Sequence, residues 1–590
     1  MRILFDSQQL MYKDPFGTLN QGQTCTLHIH VPVTVGALNA ECILELADGT
    51  PGSTVSLQKE HTQENYDIFS GNFCLTQPGL YFYYFRIYKP TGFFRLFKQG
   101  ADTNMEAGDC WQLTCTPADF TTPDWAKGAV IYQIFPDRFC KSGNPDLTEK
   151  LKPYTVHANW CDEVHWAPDK NGKVLNNDFF GGNFRGIAEK MDYIASLGAT
   201  IIYLNPIGKS FSNHRYDTCD YKIPDPMLGT TEDFCAMCQA AHKKGIQVIL
   251  DGVYSHTGSE SVYFRSACTS PDSPYYSWYT FHHYPDSYDS WWGFDTLPTV
   301  NKMDPAFTEY IIDSEDSVVA HWLQLGADGF RLDVVDELPD AFVLRLKNRI
   351  RQIRPDALLI GEVWEDASNK ISYNIRRRYF ADGMLDSCMN YPFRTAILEF
   401  MRGMDDGRQL KETVMTIAEN YPPQVLACNM NLLGSHDTPR ILTALVDDFD
   451  GNREEAAGRK LTPEQRARGR QLLVLASVLQ YTLPGSPSIY YGDEAGMEGH
   501  KDPFNRRTYP WGHEDIGLLN HYRRLGALKK NCDALRLGTV RFLYAEGGKL
   551  AFCRCYKGKQ VTIYINRTEE NWQTPAGDLP PMDFHITEEN

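Results

Sequence analysis

The spacing of apolar residues divides the chain into three regions. Residues 1–122 alternate apolar and polar positions over short runs such as Thr26–Val31 and Leu80–Tyr88, with turn residues between the runs. A period of two residues is typical of antiparallel strands with one buried face, and it predicts an N-terminal β-sandwich over 1–122. The same period returns in Val540–Tyr544 and predicts a C-terminal β-domain over 536–590.

The middle region, 123–535, alternates short apolar runs with amphipathic helical stretches. Eight strand candidates with helices between them are typical of the α/β class and predict a (β/α)8 TIM barrel. The strand candidates are Val130–Phe135, Thr200–Leu204, Gln247–Val253, Gly329–Asp333, Leu358–Glu362, Met384–Met389, Asn429–Gly434 and Ser488–Tyr491. The helical stretches include Ile187–Leu197, Thr231–Lys244, Phe307–Leu325, Ala341–Ile353 and Pro463–Leu479. The alternation stops from about 257 to 304, which predicts a small inserted domain after the third strand.

The charge balance limits the class of partner. The chain carries 58 basic and 75 acidic residues, a net charge of −17, which disfavours binding to nucleic acid or to an anionic membrane. The longest apolar run, Leu472–Leu479, is too short to span a membrane. Because Met1–Asp6 lacks the apolar core of a secretory signal, we expect a cytoplasmic protein whose 16 cysteines are free thiols.

The strand candidate Ala327–Asp333 brings two opposite charges to its own end. Residues two apart share a face of a strand, so Phe330 and Leu332 point into packing while Arg331 and Asp333 point the other way together. The guanidinium is expected to keep the neighbouring carboxylate ionised. An ionised carboxylate at a strand end suits a glycosidase nucleophile, and it equally suits a buried ion pair without chemistry.

Polar residues follow three further strand candidates of the barrel. Asp251 and His256 follow the third, Glu362 follows the fifth, and His436 and Asp437 follow the seventh. Active sites of such barrels lie at the carboxyl ends of the strands, so we expect these side chains to converge with the pair described above. That placement favours a catalytic interpretation over an isolated ion pair.

Carboxylates that converge on one cleft cannot share one pKa, because like charges and burial each raise it. We expect the carboxyl paired with Arg331 to stay ionised and a second carboxyl to be raised enough to act as an acid near neutral pH. This division suits a retaining glycosidase, whose nucleophile and acid lie about 5–5.5 Å apart. Neutral His256 and His436 are expected to donate hydrogen bonds to sugar hydroxyls.

Four short segments resemble the signature regions of the α-amylase superfamily, glycoside hydrolase family 13, in the family's order and spacing. They are Asp251–His256, Gly329–Asp333, Gly361–Trp364 and Ser435–Asp437. Further similar segments are Tyr132–Phe139, Phe179–Gly182, His214–Thr218, Leu297–Asn301 and Gly485–Glu494. The N-terminal β-domain and Val334–Glu337 make the neopullulanase, cyclomaltodextrinase and maltogenic amylase group the most similar part of the family.

The resemblance implies roles for individual residues. Asp333 would be the nucleophile, Glu362 the general acid and base, and Asp437 would bind the 2- and 3-hydroxyls of the sugar being cleaved. Arg331 would hold the nucleophile and Tyr216 would stack beneath the sugar. The other residues expected around the substrate are His256, His436, Asp217, Asp251, Arg440, Trp364 and Tyr391, with core packing an equal alternative for the last two.

The implied function is a retaining hydrolase that cleaves α-1,4-glucosidic bonds of maltooligosaccharides, cyclodextrins, pullulan or starch. A transglycosylase or an α-1,6-acting enzyme would use the same three carboxylates and stays an alternative. A non-catalytic glucan-binding relative is disfavoured because all three carboxylates are present. The N-terminal domain of the resembling group mediates dimerisation, so we also expect a homodimer.

The resemblance also raises a structural calcium ion, although the chemistry requires no cofactor. Members of the group bind it near the segments that here contain Asn144, Asp146 and Gly182. The second of these segments ends in Asn183 rather than Asp, and Ser255 replaces an asparagine that helps to bind calcium in many members. Calcium prefers several carboxylate and carbonyl oxygens, so these substitutions predict weaker binding.

Overall fold

A computed structural model describes residues 2–100 and 102–589, and these form two compact units. One unit contains the chain up to Thr121 together with Asp366–Leu385 and Glu412–Leu426. The other contains Thr122–Glu365, Asp386–Lys411 and the chain from Ala427 onward. Two segments of the region that the sequence assigns to the barrel therefore group with the N-terminal residues.

The N-terminal unit is built on antiparallel strands. Within its described residues, ten strands join in one hydrogen-bonded sheet: Lys13–Asp14, Leu19–Asn20, Thr24–Pro32, Asn39–Leu46, Pro51–Gln63, Tyr66–Cys74, Gly79–Lys89, Gly92–Gln99, Asp102–Met105 and Trp111–Thr116. Alternate side chains of Thr24–Pro32 are buried, so the two-residue period marks the core face. A separate hairpin in this unit pairs Ile371–Ser372 with Ile375–Arg376.

The second unit contains the predicted barrel. Its strands are β1 (Ile131–Ile134), β2 (Ile201–Leu204), β3 (Gln247–Gly252), β4 (Gly329–Leu332), β5 (Leu358–Gly361), β6 (Ser387–Cys388), β7 (Met430–Leu432) and β8 (Ser486–Tyr490). Neighbouring strands pair in parallel, and a parallel bridge between Met389 and Met430 closes the ring between β6 and β7. The fold class predicted from the sequence is therefore confirmed.

Apolar side chains fill the barrel, and one glycine lets two strands meet. Ile131, Ile201 and Ile249 belong to the buried cluster inside the ring. A Cβ at Gly329, the first residue of β4, would lie 2.1 Å from the backbone oxygen of Leu358 on β5. Only glycine fits at this close approach of two backbones.

Helices connect the strands. Those from the first barrel strand onward are Pro136–Phe139, Phe184–Glu189, Met191–Ser196, Thr231–Lys243, Val262–Thr269, Pro305–Thr308, Val318–Leu325, Asp340–Ile353, Tyr391–Arg402, Arg408–Asn420, Pro423–Cys428, Ile441–Ala444, Arg453–Ala456, Pro463–Thr482, Ile516–Asn531 and Asp533–Leu537. Thr230 and Thr462 each form a capping box at the start of a helix, satisfying backbone N–H groups that the helix cannot. No helix among the described residues is both long and apolar enough to cross a membrane.

The inserted region and the C-terminal sheet complete the second unit. Between β3 and β4 lie the helix Val262–Thr269 and a hairpin that pairs Phe281–His283 with Ser287–Tyr288. The C-terminal antiparallel sheet consists of Thr539–Glu546, Lys549–Tyr556, Lys559–Asn566 and Asp583–Glu589, and a further hairpin pairs Trp572–Thr574 with Gly577–Leu579. Shorter pairings join Thr155–Val156 to Asp178–Phe179 and Gly208–Ser210 to Thr218–Pro224.

Two predicted helices are broken in the structure. The stretch 187–197 forms two short helices that meet at Lys190. The stretch 307–325 forms a helix to Thr308, a wider turn over Glu309–Asp313 and a new helix from Val318. The side chain of Ser317 caps the new helix, so a local hydrogen bond ends the helical pattern that periodicity had extended.

Candidate active site

Four carboxylates come together at the carboxyl ends of the barrel strands. Asp251 lies in β3, Asp333 and Glu362 directly follow β4 and β5, and Asp437 lies in the loop after β7. Asp333 and Glu362 are 7% and 4% exposed, whereas the side chain of Asp437 is 31% exposed. The cluster is therefore buried on one side and open to solvent at Asp437.

One guanidinium joins three of these carboxylates. Nη1 of Arg331 donates to Asp251 Oδ1 at 2.7 Å and to Asp333 Oδ1 at 3.0 Å, and Nη2 lies 2.6 Å from Glu362 Oε2. The side chain of Arg331 is fully buried. The sequence predicted the ion pair between Arg331 and Asp333, but it did not predict that Asp251 and Glu362 also contact Arg331.

Burial and neighbouring charges shift the pKa values of the carboxylates in this cluster. Burial raises the pKa of Asp333 well above its ordinary value, and the charges of Glu362 and Asp251 add to the rise while Arg331 opposes it. Burial and then the charge of Glu362 raise the pKa of Asp437 to about 7. Arg331 lowers the pKa of Asp333, as the sequence predicted, but burial and the neighbouring carboxylates oppose it because one cation is shared among them. That Arg331 keeps Asp333 ionised stays a prediction.

Asp251 forms hydrogen bonds to other side chains of the site. Its Oδ2 accepts hydrogen bonds from the hydroxyls of Tyr203 at 2.7 Å and Tyr216 at 2.8 Å, and its Oδ1 accepts from Arg331. The side chain is fully buried. Both oxygens are thus occupied by protein donors, and the geometry assigns Asp251 to orienting Arg331 and Tyr216, whereas the sequence placed it at the substrate.

Tyr216 and His436 form a flat stack beside the carboxylates. Their rings lie 5.4 Å apart with planes 9° apart, and His436 Nε2 lies 2.6 Å from the Tyr216 hydroxyl. His436 Nε2 also lies 3.1 Å from Asp437, and its Nδ1 lies 3.0 Å from the side-chain nitrogen of Gln133. Burial, with Arg331 and Arg506 nearby, holds the pKa of His436 well below its ordinary value, so the ring is neutral. The partly exposed Tyr216 ring is placed to form a floor.

His256 is neutral and buried, and only one of its ring nitrogens has a protein partner within the described part of the chain. Burial lowers its pKa to about 3. Its Nε2 lies 3.0 Å from the backbone oxygen of Tyr216 and therefore carries the proton, which it donates there. Its Nδ1 has no hydrogen-bond partner among the described residues. The sequence predicted a donor to sugar hydroxyls, whereas this arrangement leaves an acceptor.

Glu362 is held by two N–H groups. The backbone N–H of Val334 donates to its Oε2 at 2.8 Å, and the indole N–H of Trp364 donates to its Oε1 at 3.0 Å. Val334 has φ 35°, a left-handed conformation that is unfavourable for a β-branched residue and typical of functional sites. In this strained turn the backbone N–H of Val334, the residue after Asp333, points to the carboxylate of Glu362.

Trp364 and Tyr391 have different surroundings although they stack on each other. The rings lie 3.9 Å apart with planes 9° apart. Trp364 is 46% exposed, whereas Tyr391 is 2% exposed. Trp364 therefore offers surface beside Glu362, and Tyr391 supports it from within the core.

Asp217 and Arg440 are engaged by the protein itself. Asp217 accepts hydrogen bonds from the backbone N–H groups of Phe211 at 3.1 Å and Ser212 at 3.0 Å. Arg440 is buried over the ring of Tyr490, 4.1 Å from its centroid, and donates to Asp493 at 3.1 Å. These contacts shape the loops of the site.

The segments predicted to bind calcium use their oxygens internally. Asp146 Oδ1 accepts hydrogen bonds from the backbone N–H and hydroxyl of Thr148, and Asn183 caps the helix Phe184–Glu189. The N–H of Gly182 donates to the backbone oxygen of Asp137. No group of three or more His, Cys, Asp or Glu within 2–100 and 102–589 is arranged to hold a metal ion. Calcium also binds backbone and amide oxygens, so calcium near Asn144 and Asp146 stays a prediction.

Several residues of the site were not anticipated from the sequence. Arg506 donates to the backbone oxygen of His436 at 3.0 and 2.9 Å. The Trp291 ring lies 5.1 Å from the His256 ring, and the indole N–H of Trp291 donates a hydrogen bond to Glu337. Arg506 lies far along the loop after β8 and has no local signal. The aromatic richness of the inserted region pointed towards the tryptophan without identifying it.

Comparisons with known proteins agree with this geometry. The family model described as alpha amylase, catalytic domain, matches residues 133–535. The chain is 34% identical over 639 residues to an amylopullulanase of Thermoanaerobacterium saccharolyticum, covering 96% of this chain and 48% of that protein. It is 35% identical over 470 residues to a cyclomaltodextrinase of Geobacillus thermopakistaniensis, covering 77% of this chain and 71% of that one.

A solved structure shares the fold over the whole chain. The type III pullulan hydrolase from Thermococcus kodakarensis superposes with a TM-score of 0.70 and 26% identity, covering 100% of both chains. The present chain spans about half the length of the amylopullulanase that it matches. From the family match, which extends over the entire barrel, the chain belongs to the α-amylase family, glycoside hydrolase family 13.

Proposed function

We propose that this protein is a retaining α-glucan hydrolase that cleaves α-1,4-glucosidic bonds. The observation that carries the proposal is that Asp333 and Glu362, at the ends of adjacent strands, both contact the guanidinium of Arg331. Sharing one cation keeps the two carboxyl groups close. This favours the separation of about 5–5.5 Å found in retaining enzymes over the 6.5–9.5 Å or so of inverting enzymes.

In the first step Asp333 attacks the anomeric carbon and forms a covalent ester with the sugar. The bond from that carbon to the glycosidic oxygen breaks, and Glu362 transfers its proton to the departing oxygen. This step needs Glu362 in its acid form and Asp333 as the carboxylate. The N–H groups of Val334 and Trp364 fix the position of the Glu362 carboxyl.

In the second step water replaces the protein at the anomeric carbon. Glu362, now a carboxylate, removes a proton from the water as its oxygen attacks, and Asp333 leaves with the electrons of the ester bond. The two inversions together retain the configuration. In this proposal Asp437, whose side chain is 31% exposed, binds hydroxyls of the sugar, and the sugar ring lies over Tyr216 and His436.

The substrate class is proposed from the relatives. A cyclomaltodextrinase, an amylopullulanase and a pullulan hydrolase are similar to this chain over much of its length. We therefore propose maltooligosaccharides, cyclodextrins, pullulan or starch as substrates.

Product analysis of wild type and Asp333→Asn tests the proposal. The panel is maltotriose, maltohexaose, β-cyclodextrin, pullulan and soluble starch, followed by chromatography. We expect the variant to lower kcat by about a thousandfold or more with an unchanged melting temperature, because a member of the catalytic unit is lost. Asp450→Asn, a change at an exposed surface carboxylate, is the matched control. A folded Asp333→Asn variant with near-wild-type activity would show that another group is the nucleophile.

The alternatives use the same carboxylates and differ in product. Panose released from pullulan indicates cleavage of α-1,4 bonds, whereas maltotriose indicates cleavage of α-1,6 bonds. Products longer than the substrate indicate transglycosylation. If wild type and Asp333→Asn both leave every glucan intact while binding it, the protein is a non-catalytic relative.

We also propose that the chain forms a homodimer. The support is the similarity of the whole chain to the cyclomaltodextrinase group together with exposed apolar side chains on the N-terminal unit. Leu10, Phe93 and Met105 of that unit are 61%, 50% and 59% exposed. A second copy of the chain bound at this unit would remove these side chains from water.

A further inference from the structure

The inserted region carries two stacked tryptophans beside the candidate active site. The rings of Trp291 and Trp292 lie 4.4 Å apart with planes 8° apart. Trp291 also lies 5.1 Å from the ring of His256. The stack therefore begins at a residue of the site and continues away from it.

The outer end of the stack faces solvent. Trp292 is 68% exposed and Phe294 is 55% exposed, and the Phe294 ring lies 6.3 Å from Trp291 with planes 27° apart. Trp292 has φ 50° and ψ 27°, a left-handed conformation that is unfavourable for a bulky residue. Strained backbone and exposed aromatic surface together are typical of binding sites, since packing alone would bury the ring.

A single carboxylate holds both indoles. Glu337 Oε2 accepts from the indole N–H of Trp291 and its Oε1 accepts from that of Trp292, each at 2.7 Å. Hydrogen bonds to an ionised acceptor are among the stronger ones in proteins. Glu337 ends the short turn Val335–Glu337, which follows Asp333 by only two residues. The segment that carries the candidate nucleophile thus also sets the position of the tryptophans.

We infer that Glu337 is a positioning residue that fixes Trp291 and Trp292 as a stacking surface for a glucose unit beyond the one being cleaved. The apolar C–H face of a glucose ring packs well on an exposed indole. When a long substrate binds to a ring that is already held in place, less conformational entropy is lost than when it binds to a mobile ring. The surface therefore sets the preference of the enzyme for longer chains, an inference that rests on the proposed glucan hydrolysis.

The first test compares short and long substrates. We expect Trp292→Ala and Glu337→Ala each to raise KM for maltoheptaose about tenfold, and to raise KM for maltotriose at least about fivefold less. Trp292→Phe should restore part of the affinity because it keeps a ring. Phe93→Ala, which removes an exposed aromatic ring from the N-terminal unit, is the matched control. Equal effects on the two substrates, or no effect on either, would overturn the inference.

The second test asks whether Glu337 acts through the tryptophan. In a double-mutant cycle, Glu337→Ala combined with Trp292→Ala should raise KM for maltoheptaose no further than Trp292→Ala alone. Additive losses would mean that Glu337 acts independently, and would overturn its positioning role. Glu337→Gln, which keeps one oxygen acceptor, should fall between wild type and Glu337→Ala.

A binding measurement separates this inference from the proposed function. Calorimetric titration of maltoheptaose into Asp333→Asn should give a dissociation constant that weakens about tenfold when Trp292→Ala is added. If wild type hydrolyses no glucan and this loss is still seen, the proposed hydrolysis fails and the stacking surface stands. If wild type hydrolyses glucans and the dissociation constant is unchanged, the stacking surface fails alone.

Discussion

At the scale of residues, the main feature of this site is that several buried carboxylates share one cation. Arg331 contacts Asp251, Asp333 and Glu362 within 3.0 Å, and its side chain has no exposure to water. Sequence spacing revealed the partners on β4, because residues two apart must share a face. It did not reveal that carboxylates from β3 and β5 compete for the same guanidinium, since that depends on where three strands end in space.

Arg331→Ala should destabilise the protein, and more so at pH 8 than at pH 5. In the folded protein burial raises the pKa of Asp333, and that of Asp437 to about 7, whereas an unfolded aspartate titrates near about 3.9. The folded state therefore binds protons that the unfolded state has released, so stability from these groups falls as pH rises from about 4 through 7. Without the cation the pKa values rise further and the fall steepens.

Urea unfolding of wild type and Arg331→Ala at the two pH values measures this effect. Loss of one partner of a buried charge pair costs about 3–5 kcal/mol of stability. At pH 5, protonation of the remaining carboxylates should reduce this cost. Arg408→Ala, at a guanidinium that is 69% exposed, should change the free energy of unfolding by less than about 0.5 kcal/mol at both pH values. An equal loss at pH 5 and pH 8 for Arg331→Ala would mean that the raised pKa values of Asp333 and Asp437 do not affect the stability of this variant.

At the scale of elements, the barrel was predictable because its strands are buried on both faces. Such strands are short continuous apolar runs, and each of the eight candidates contains or overlaps an observed strand. β6 is only two residues long, which explains its weak signal at 384–389. The grouping of Asp366–Leu385 and Glu412–Leu426 with the N-terminal unit was not predictable, because it depends on contacts between residues far apart in the chain.

The capping box before the helix Thr231–Lys243 gives a prediction at this scale. The Thr230 hydroxyl accepts from the N–H of Asp233 at 3.2 Å, and Asp233 accepts in turn from the N–H of Thr230 at 3.1 Å. Thr230→Ala should lower the free energy of unfolding by about 1 kcal/mol, because one N–H loses its acceptor. Urea titration measures the change, and Thr230→Ser should recover most of it. A variant as stable as wild type would mean that solvent satisfies this helix end.

The loop after β1 gives a second prediction, on calcium. With Asp146 bonded to Thr148 and Asn183 capping a helix, we expect millimolar calcium and excess EDTA to give the same melting temperature. An ion held at a hundred times its dissociation constant would add about 2.7 kcal/mol, which a melting curve resolves easily. A calcium-dependent rise that Asp146→Asn abolishes would show that the loop rearranges to bind the ion.

At the scale of the whole molecule, the class of activity was more predictable than its range of substrates. The signature segments identified the family because the chemistry needs fixed residue types at four strand ends, and the family match over 133–535 confirms that identification. Substrate length is decided by surfaces such as Trp292, whose exposure depends on a strained turn and on Glu337. Neither feature has a signature in the local sequence.

The homodimer is the last prediction at the scale of the whole molecule. Exposed apolar residues of the N-terminal unit include Ile371 and Ile375 of its hairpin, at 55% and 53% exposure, besides Phe93. Burying such side chains against a second copy would remove their contact with water, which contributes about 25 cal/mol per Å² of apolar surface.

Light scattering at micromolar concentration should therefore give twice the 67.2 kDa mass of the chain. Phe93→Ser and Ile371→Ser should each shift the mass towards the monomer, whereas Leu543→Ser, at an exposed residue of the C-terminal sheet, should not. A monomer at every concentration would mean that these side chains do not form an interface between copies of the chain.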